Sequence, residues 1–550
     1  MNVRKVALLL LALLIAGSAW QRDALMRVWR RTTGPVPAPL IMVYPLESSG
    51  EEPYFGNGLT EDLVARLGQT PGLKVFGRSG ASRFKAFPLQ TVASTLDVSA
   101  ALTGTASRSG DRVTLTLELI AVKDQASFWA GRFSGDMKDI VAIETRAAGE
   151  VAGALRVEHT PTASDARALS RKVDPRAYDL HLRGQDALAS LHATEALTFF
   201  AQAAAADPTL VEALAGIVVA ARDVNVNEGI PDDPGRTAQV RAAAAQASQL
   251  DPDFPPVNLA MGLASASLDE ALDSLKGAID RDPTYARALE ALGDEVRDAD
   301  PDRALAFYGR ALVADPFLET AHINNAATML LLNRWGLALG ELLRIEIELA
   351  PPWSLGMFPV FDFAKDSYRD ALADLMLKTP PLRERPYFLA QLVETLALSR
   401  KTAEALEEAT ALTARFPDFC EGHALLAAVL TDAGKPAEAR QVAQPIIAAA
   451  EGANARVSQL RCAATATAGL GDGEHTAAIL DRILSNESLL RSWSFARFGQ
   501  SGRLLLMGHM YPWRKIVDLP RIAGARARFD TTFEQQRADI RAKLGPVAYQ

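Results

Sequence analysis

Apolar and polar positions alternate strictly between Val113 and Leu119, so Val113, Leu115, Leu117 and Leu119 share one face. A period of two is that of a half-buried strand. Ser109-Gly110-Asp111 just before it supplies a turn. The run from Leu40 to Tyr44, ended by Pro45, reads as a buried strand, and Ser127 to Phe133 as another. Leu59, Leu63 and Leu67 recur every fourth residue, the apolar stripe of a helix. Pro71-Gly72 then turns the chain into Leu73-Lys74-Val75-Phe76, and Ile140 to Leu155 reads as a closing helix. Residues 40–157 are therefore expected to form a small α/β unit. Gly56-Asn57-Gly58 is expected to lie before the Leu59 helix, with Asn57 or Thr60 as its cap. On that reading Glu61 and Asp62 sit in the first turn, where they suit the helix dipole and repel an anion.

From about residue 174 the pattern changes to Ala- and Leu-rich helix. Asp-Pro recurs at 207, 251, 282 and 315, and Ala350-Pro351 comes next, at spacings of 44, 31, 33 and 35 residues. A period near 34 built of paired helices is the tetratricopeptide signature. Leu289, Leu292, Gly293 and Val296 line one helix of a pair, and Ala304, Tyr308, Ala311 and Pro316 belong to the next. Gly293 is expected to meet Ala304 where the helices cross, and proline stops the second helix. Leu426, Ala427, Leu430, Gly434, Ala439 and Ala443 repeat the logic. Eight units are expected within 174–486, with a loop at 222–236 and a broken repeat at 351–384. In this register Ala286, Glu290, Asp294, Arg297, Glu421, Ala424, Ala428 and Thr431 are the candidates for lining a peptide groove. Residues 487–550 are read as a helical cap, because a terminal repeat needs its end covered.

Ahead of both units, residues 1–31 hold the uncharged run Val6 to Trp20, preceded by Arg4 and Lys5. Its 15 residues fall short of the roughly 20 of a spanning helix. It is either an uncleaved anchor or a signal peptide cut in Ala16-Gly17-Ser18-Ala19. Arg22, Arg27, Arg30 and Arg31 resist export of the chain beyond them. Residues 32–39, TTGPVPAP, are a Pro-rich linker.

Composition narrows the chemistry. A net charge of −8 over 550 residues, with no long Lys/Arg run, argues against nucleic-acid binding. No nucleophile-elbow, phosphate-loop or zinc-protease motif occurs, and the seven histidines are scattered. Neither catalysis nor a cofactor nor a metal is expected. Cys420 and Cys462 are either two small core residues or a single disulfide in an oxidising compartment.

Residues 41–155 resemble the TolB amino-terminal-like domain, through IMVYPLE (41–47), YFGNGLTEDLVARL (54–67), PGLKVFGRS (71–79), LDVSAALTGTASRSGDRVTLTLELIAVKDQASFW (96–129) and MKDIVAIETRAAGEVAGAL (137–155). AYDLHLRG (177–184) is similar to the start of the repeat arrays that lie beyond such domains. The resemblance implies an α+β multi-domain chain: a small α/β TolB-amino-terminal-like domain, then an all-α tetratricopeptide-repeat superhelix. Related chains, the CadC-like regulators and class III adenylate cyclase-associated proteins, carry a winged-helix or cyclase domain in front. Only about 39 residues precede the α/β unit here, so neither activity is carried over. The resemblance also implies a bacterial inner-membrane protein with a periplasmic body. Two functions fit: a membrane-tethered scaffold that binds partner proteins or peptides, or a sensory subunit that signals to a separate transcription regulator or cyclase.

Overall fold

The computed structural model describes residues 39–49, 53–76, 98–157, 161–190, 192–224, 234–316, 318–332, 386–486 and 511–545, with a few isolated positions between. The expected amino-terminal apolar segment, most of the 222–236 loop and the irregular 351–384 stretch lie outside them.

Strands β1 (Leu40–Val43), β2 (Glu47–Ser48), β3 (Lys74–Phe76), β4 (Ala100–Ser109), β5 (Arg112–Ala121) and β6 (Ser127–Asp136) form one sheet. Its order is β3-β1-β4-β5-β6, with β2 beside β4. β1 runs parallel to β3 and β4, and β4, β5 and β6 make an antiparallel meander. Helices α1 (Pro53–Gly68) and α2 (Ile140–Ala154) cover one face. Leu59, Leu63 and Leu67 bury there against Val113, Leu115, Leu117 and Leu119, so the two sequence periods meet in one core. A smaller cluster on Met42, Tyr44, Phe76, Val98, Ala101 and Val122 packs separately.

The start of α1 corrects the sequence reading. The helix begins at Pro53, so Gly56, Asn57 and Gly58 are helical and Glu61 and Asp62 lie about two turns in. The glycines serve close approach. A Cβ on Gly56 would sit 2.1 Å from the carbonyl oxygen of Leu46, and one on Gly58 would sit 2.8 Å from the backbone of Leu182.

After α3 (Ala163–Ser170), helices come in pairs: α4 (Pro175–Ala189) with α5 (Ala193–Ala206), α6 (Val211–Asp223) with α7 (Pro234–Leu250), α8 (Pro255–Ala264) with α9 (Leu268–Arg281), and α10 (Ala286–Val296) with α11 (Pro301–Ala314). Helix α12 (Glu319–Leu331) comes next. Further pairs are α13 (Pro386–Leu398) with α14 (Thr402–Arg415), α15 (Cys420–Asp432) with α16 (Pro436–Glu451), and α17 (Val457–Gly469) with α18 (Gly473–Leu484). First helices of successive pairs pack side by side, as α6 on α8 and α15 on α17. Helix α19 (Pro520–Leu544) closes the described chain.

The Asp-Pro repeats have a physical cause. Asp207 and Asp282 each accept a hydrogen bond from the backbone N–H two residues on, at Thr209 and Thr284, and from that threonine's hydroxyl. Asp251 accepts likewise from Asp253 N–H. The aspartate closes a tight turn while proline bars the helix from continuing. Within pairs, a glycine on the first helix receives a large side chain from the second. Gly184 lies under Phe200, Gly262 under Leu275 and Gly293 under the Tyr308 ring. At the crossing where Gly293 was expected to meet Ala304, the atoms nearest Gly293 belong to the Tyr308 ring, one turn beyond Ala304.

Candidate functional site

Two faces of α1 do different work. Leu59, Leu63 and Leu67 face the sheet, whereas Tyr54, Gly58, Asp62 and Arg66, also spaced by four, face the helix array. Gly58 lets α1 lie against α4. Around it Tyr54 donates to Asp179 (2.8 Å) and Asn57 to Asp186 (2.8 Å). The Arg183 guanidinium stacks 3.9 Å from the Tyr54 ring centre.

Deeper in, the junction is ionic and dry. Arg66 donates through Nε to Glu144 (3.1 Å) and through Nη2 to Glu212 (2.9 Å), and all three side chains are at most 5% exposed. Arg171 also pairs with Glu212. Burial alone would raise the Glu212 carboxyl, but Arg171 and Arg66 hold it down at about 2. The Tyr178 hydroxyl lies 2.6 Å from Asp62 and 2.7 Å from Glu144. A phenol has one proton to donate, so one of these carboxyls must supply the other. Burial, with Asp62 close by, pushes Glu144 up to about 8, which favours the protonated form of this carboxyl. The chain of donors is then Glu144 to Tyr178 to Asp62, with His181 Nε2 (2.9 Å) and Gln185 (3.2 Å) also on Asp62. Burial works to lower the His181 pKa, but Asp62 more than offsets it and the imidazole is raised.

The array carries a second polar cluster on its first helices. Asp294 accepts from the Tyr308 hydroxyl (2.8 Å) and from Asn324 (2.9 Å), and pairs with Arg222. Arg297 reaches Asn324 at 3.4 Å. Burial, together with Asp294, pushes the Glu290 carboxyl up to about 7. The structure thus brings together the groove candidates Glu290, Asp294 and Arg297, but buries them among their own partners. Ala286 is half-buried at the start of the same helix.

The other four candidates lie on α15. Glu421 is half-buried and faces Arg461 at 3.6 Å, and Thr431 bonds back to the carbonyl of Ala427. Ala424 and Ala428 are wholly buried. A Cβ on Gly469 of α17 would sit 2.5 Å from that of Ala428. Ala428 is thus a packing position between neighbouring first helices, and Ala424, equally buried, presents no side chain at the surface. Cys420 and Cys462 form a disulfide that ties α15 to α17, which settles the choice the sequence left open.

Asp282 belongs to the contact between the units as well. Its Oδ2 lies where a Cβ on Gly68 would be, at 2.4 Å. Burial pushes its carboxyl up to about 7, against hydrogen bonds from Thr284. A carboxyl raised in the folded state contributes stability that is fully present below its unfolded pKa near 4 and is lost as pH rises through about 7. Asp282→Asn is expected to match the parent chain at pH 4 and to exceed it by roughly 2–4 kcal/mol at pH 8. Urea denaturation at both values checks this, and equal loss at both would show that the carboxyl is ionised throughout.

Among the described residues, no helix is long and apolar enough to cross a membrane, and no group of three or more His, Cys, Asp or Glu side chains could hold a metal ion. No protein-family model matches the chain. Over 244 residues it is 29% identical to a protein named "Putative adenylate cyclase 3" of Rhizobium meliloti (strain 1021). The match covers 42% of this chain and 42% of that protein, so the chain spans well under half the length of this relative. Among solved structures, yeast Tom70 is similar over 59% of this chain and 69% of its own, with 15% identity and a TM-score of 0.40. The P58(IPK) TPR domain is similar over 66% of this chain and 99% of its own, with 12% identity and a TM-score of 0.17.

Proposed function

We propose that this chain is a membrane-tethered cell-envelope scaffold that binds partner proteins through a tetratricopeptide-type array, with a TolB-amino-terminal-like domain fixed on the first pairs. The observation that carries the reading is the side-by-side packing of first helices along the array, which builds an extended surface of the kind such repeats use for proteins. The Cys420–Cys462 disulfide supports an oxidising compartment, and so a body outside the cytoplasm. The buried junction supports a fixed relation between the α/β unit and the array, as suits a platform.

Carboxy-terminal fusions to alkaline phosphatase and to a fluorescent protein test the location. An active phosphatase is expected, and a fluorescent fusion with an inactive phosphatase would place the body in the cytoplasm and end the envelope reading. Affinity purification of the full chain from membranes tests the binding. Partners are expected to be retained by the full chain and lost when the array is deleted, and retention without the array would sink the scaffold. A second reading, a regulatory subunit for a separate cyclase, draws on the partial likeness to the protein named as a putative cyclase. It predicts that a cyclase is among the retained partners and that its output changes with the amount of this chain.

A further inference from the structure

Helix α19 is 25 residues long, about 37 Å at 1.5 Å per residue. Its first half lies on α18. Ile522, Ala525, Phe529 and Phe533 are buried there, and Arg521 and Arg528 pair with Glu474 and Asp481. Covering the last pair needs no more than this. The helix nevertheless continues to α9 and α11, several pairs earlier.

The chemistry changes along the way. In the far half Ile540 is buried, but the contacts around it are carried by charged side chains. Arg541 donates to both oxygens of Asp300, at 2.9 and 3.3 Å. Arg537 donates to the carbonyl of Ala299 at 2.7 Å. Lys543 sits on Asp269 and lies 2.8 Å from Asp273. Arg303 reaches back to the carbonyl of Gly545 at 2.7 Å. Asp300 is 2% exposed, whereas the side chains of Asp269, Asp273 and Arg541 are 79%, 65% and 57% exposed. Lys543 and Arg537 are 19% and 24% exposed. Beyond Phe533, however, only Ile540 adds buried apolar surface, against Ile522, Ala525, Phe529 and Phe533 before it. The carboxylates at 269 and 273 stand in solvent, where salt screens them, so this half is the end that local opening releases first.

We propose that Asp269, Asp273 and Asp300 form a docking rim for a basic helix of a partner protein, which the far end of α19 fills in cis as a displaceable latch. The cis occupant defines the ligand: a helix with Arg or Lys at i, i+4 and i+6, as at 537, 541 and 543. Arg541 reaches the deep carboxylate of Asp300 with Arg537 3.9 Å from it, and Lys543 spans the two exposed ones. Asp300 retains Arg303 at 3.5 Å when α19 lifts, so the rim does not depend on its occupant. The proposal rests on the reading of the array as a protein-binding surface.

Hydrogen exchange on the full chain and on the variant Arg537→Gln/Arg541→Gln/Lys543→Gln tests the latch. In 50 mM NaCl the variant is expected to exchange at least tenfold faster over 535–544, with 521–533 unchanged. The parent chain is expected to do the same in 1 M NaCl, which covers a variant that does not fold. A labelled peptide with the sequence 530–545 probes the rim by anisotropy. It is expected to bind the variant at least tenfold more tightly than the parent and to lose that binding in 1 M NaCl. Adding Asp300→Asn with Asp269→Asn is expected to abolish it. Continued protection of 535–544 in the variant and in high salt overturns the latch. A peptide that binds variant and parent alike, or neither, overturns the rim. If the peptide fails while partners are still retained by the array, the rim falls and the scaffold stands; peptide binding without retained partners has the reverse meaning.

Discussion

Arg66→Met is expected to destabilise the fold by about 3–5 kcal/mol, the range for removing one partner of a buried ion pair. Methionine fills much of the same volume, so the loss is electrostatic. Glu144 loses the donor at 3.1 Å and Glu212 the donor at 2.9 Å, in a site almost without solvent. Glu212 keeps Arg171, which places the effect toward the lower end. Glu144→Gln is the informative partner. If Glu144 carries a proton, an amide reproduces its bonds: N–H to the Tyr178 oxygen, C=O from Arg66. Its cost is then under about 1 kcal/mol near pH 4.5, and above that the variant gains on the parent chain. The raised carboxyl also sets a pH window. Its contribution is fully present below about 4.5 and is lost as pH rises through about 8, and Glu144→Gln removes that slope. Urea denaturation of both variants between pH 5 and 9 decides the matter. Equal losses in the two would mean that Glu144 is ionised and that the proton assignment at Tyr178 is wrong.

How far these features could be read from the sequence depended on whether the opposing surface was also legible. The Leu59, Leu63, Leu67 stripe and the Val113 to Leu119 alternation are apolar on both sides of one contact, and each predicts the other. The Tyr54, Gly58, Asp62, Arg66 stripe has the same spacing, but charged residues on a helix look like a solvated face until the partner is known. The signal lay in AYDLHLRG, where Tyr178 and His181 stand three apart on the helix that receives them. Placing the start of α1 at Leu59 instead of Pro53 hid it further, since it made Asp62 a dipole residue instead of a buried acceptor. The groove candidates divide on the same ground. Glu290, Asp294 and Arg297 share a face as the register requires, but their burial depends on Arg222, Tyr308 and Asn324 from other helices. Alanine carries no sign of its environment, and Ala428 could be assigned only once Gly469 was placed opposite. The reach of α19 was invisible because its basic residues sit in a sequence that is polar throughout.

Cys420→Ser/Cys462→Ser is expected to cost about 4 kcal/mol, the loop-closure value for a cross-link 42 residues apart. The bond joins the start of α15 to the middle of α17, first helices of adjacent pairs that pack through alanine and glycine. Small residues bring the helices close but bury little area, so the cross-link supplies order that packing does not. In an array where each pair contacts mainly its neighbours, the loss is local. Hydrogen exchange is expected to quicken in α15 to α18 and to stay unchanged in α1 and α4, which the ionic junction holds independently. The parent chain in reductant should then match the double variant in both urea midpoint and exchange pattern. A parent chain indifferent to reductant would show that the two thiols are not joined in the purified protein. That result would remove the main support for an oxidising compartment and leave the location of the body to the fusion experiment alone.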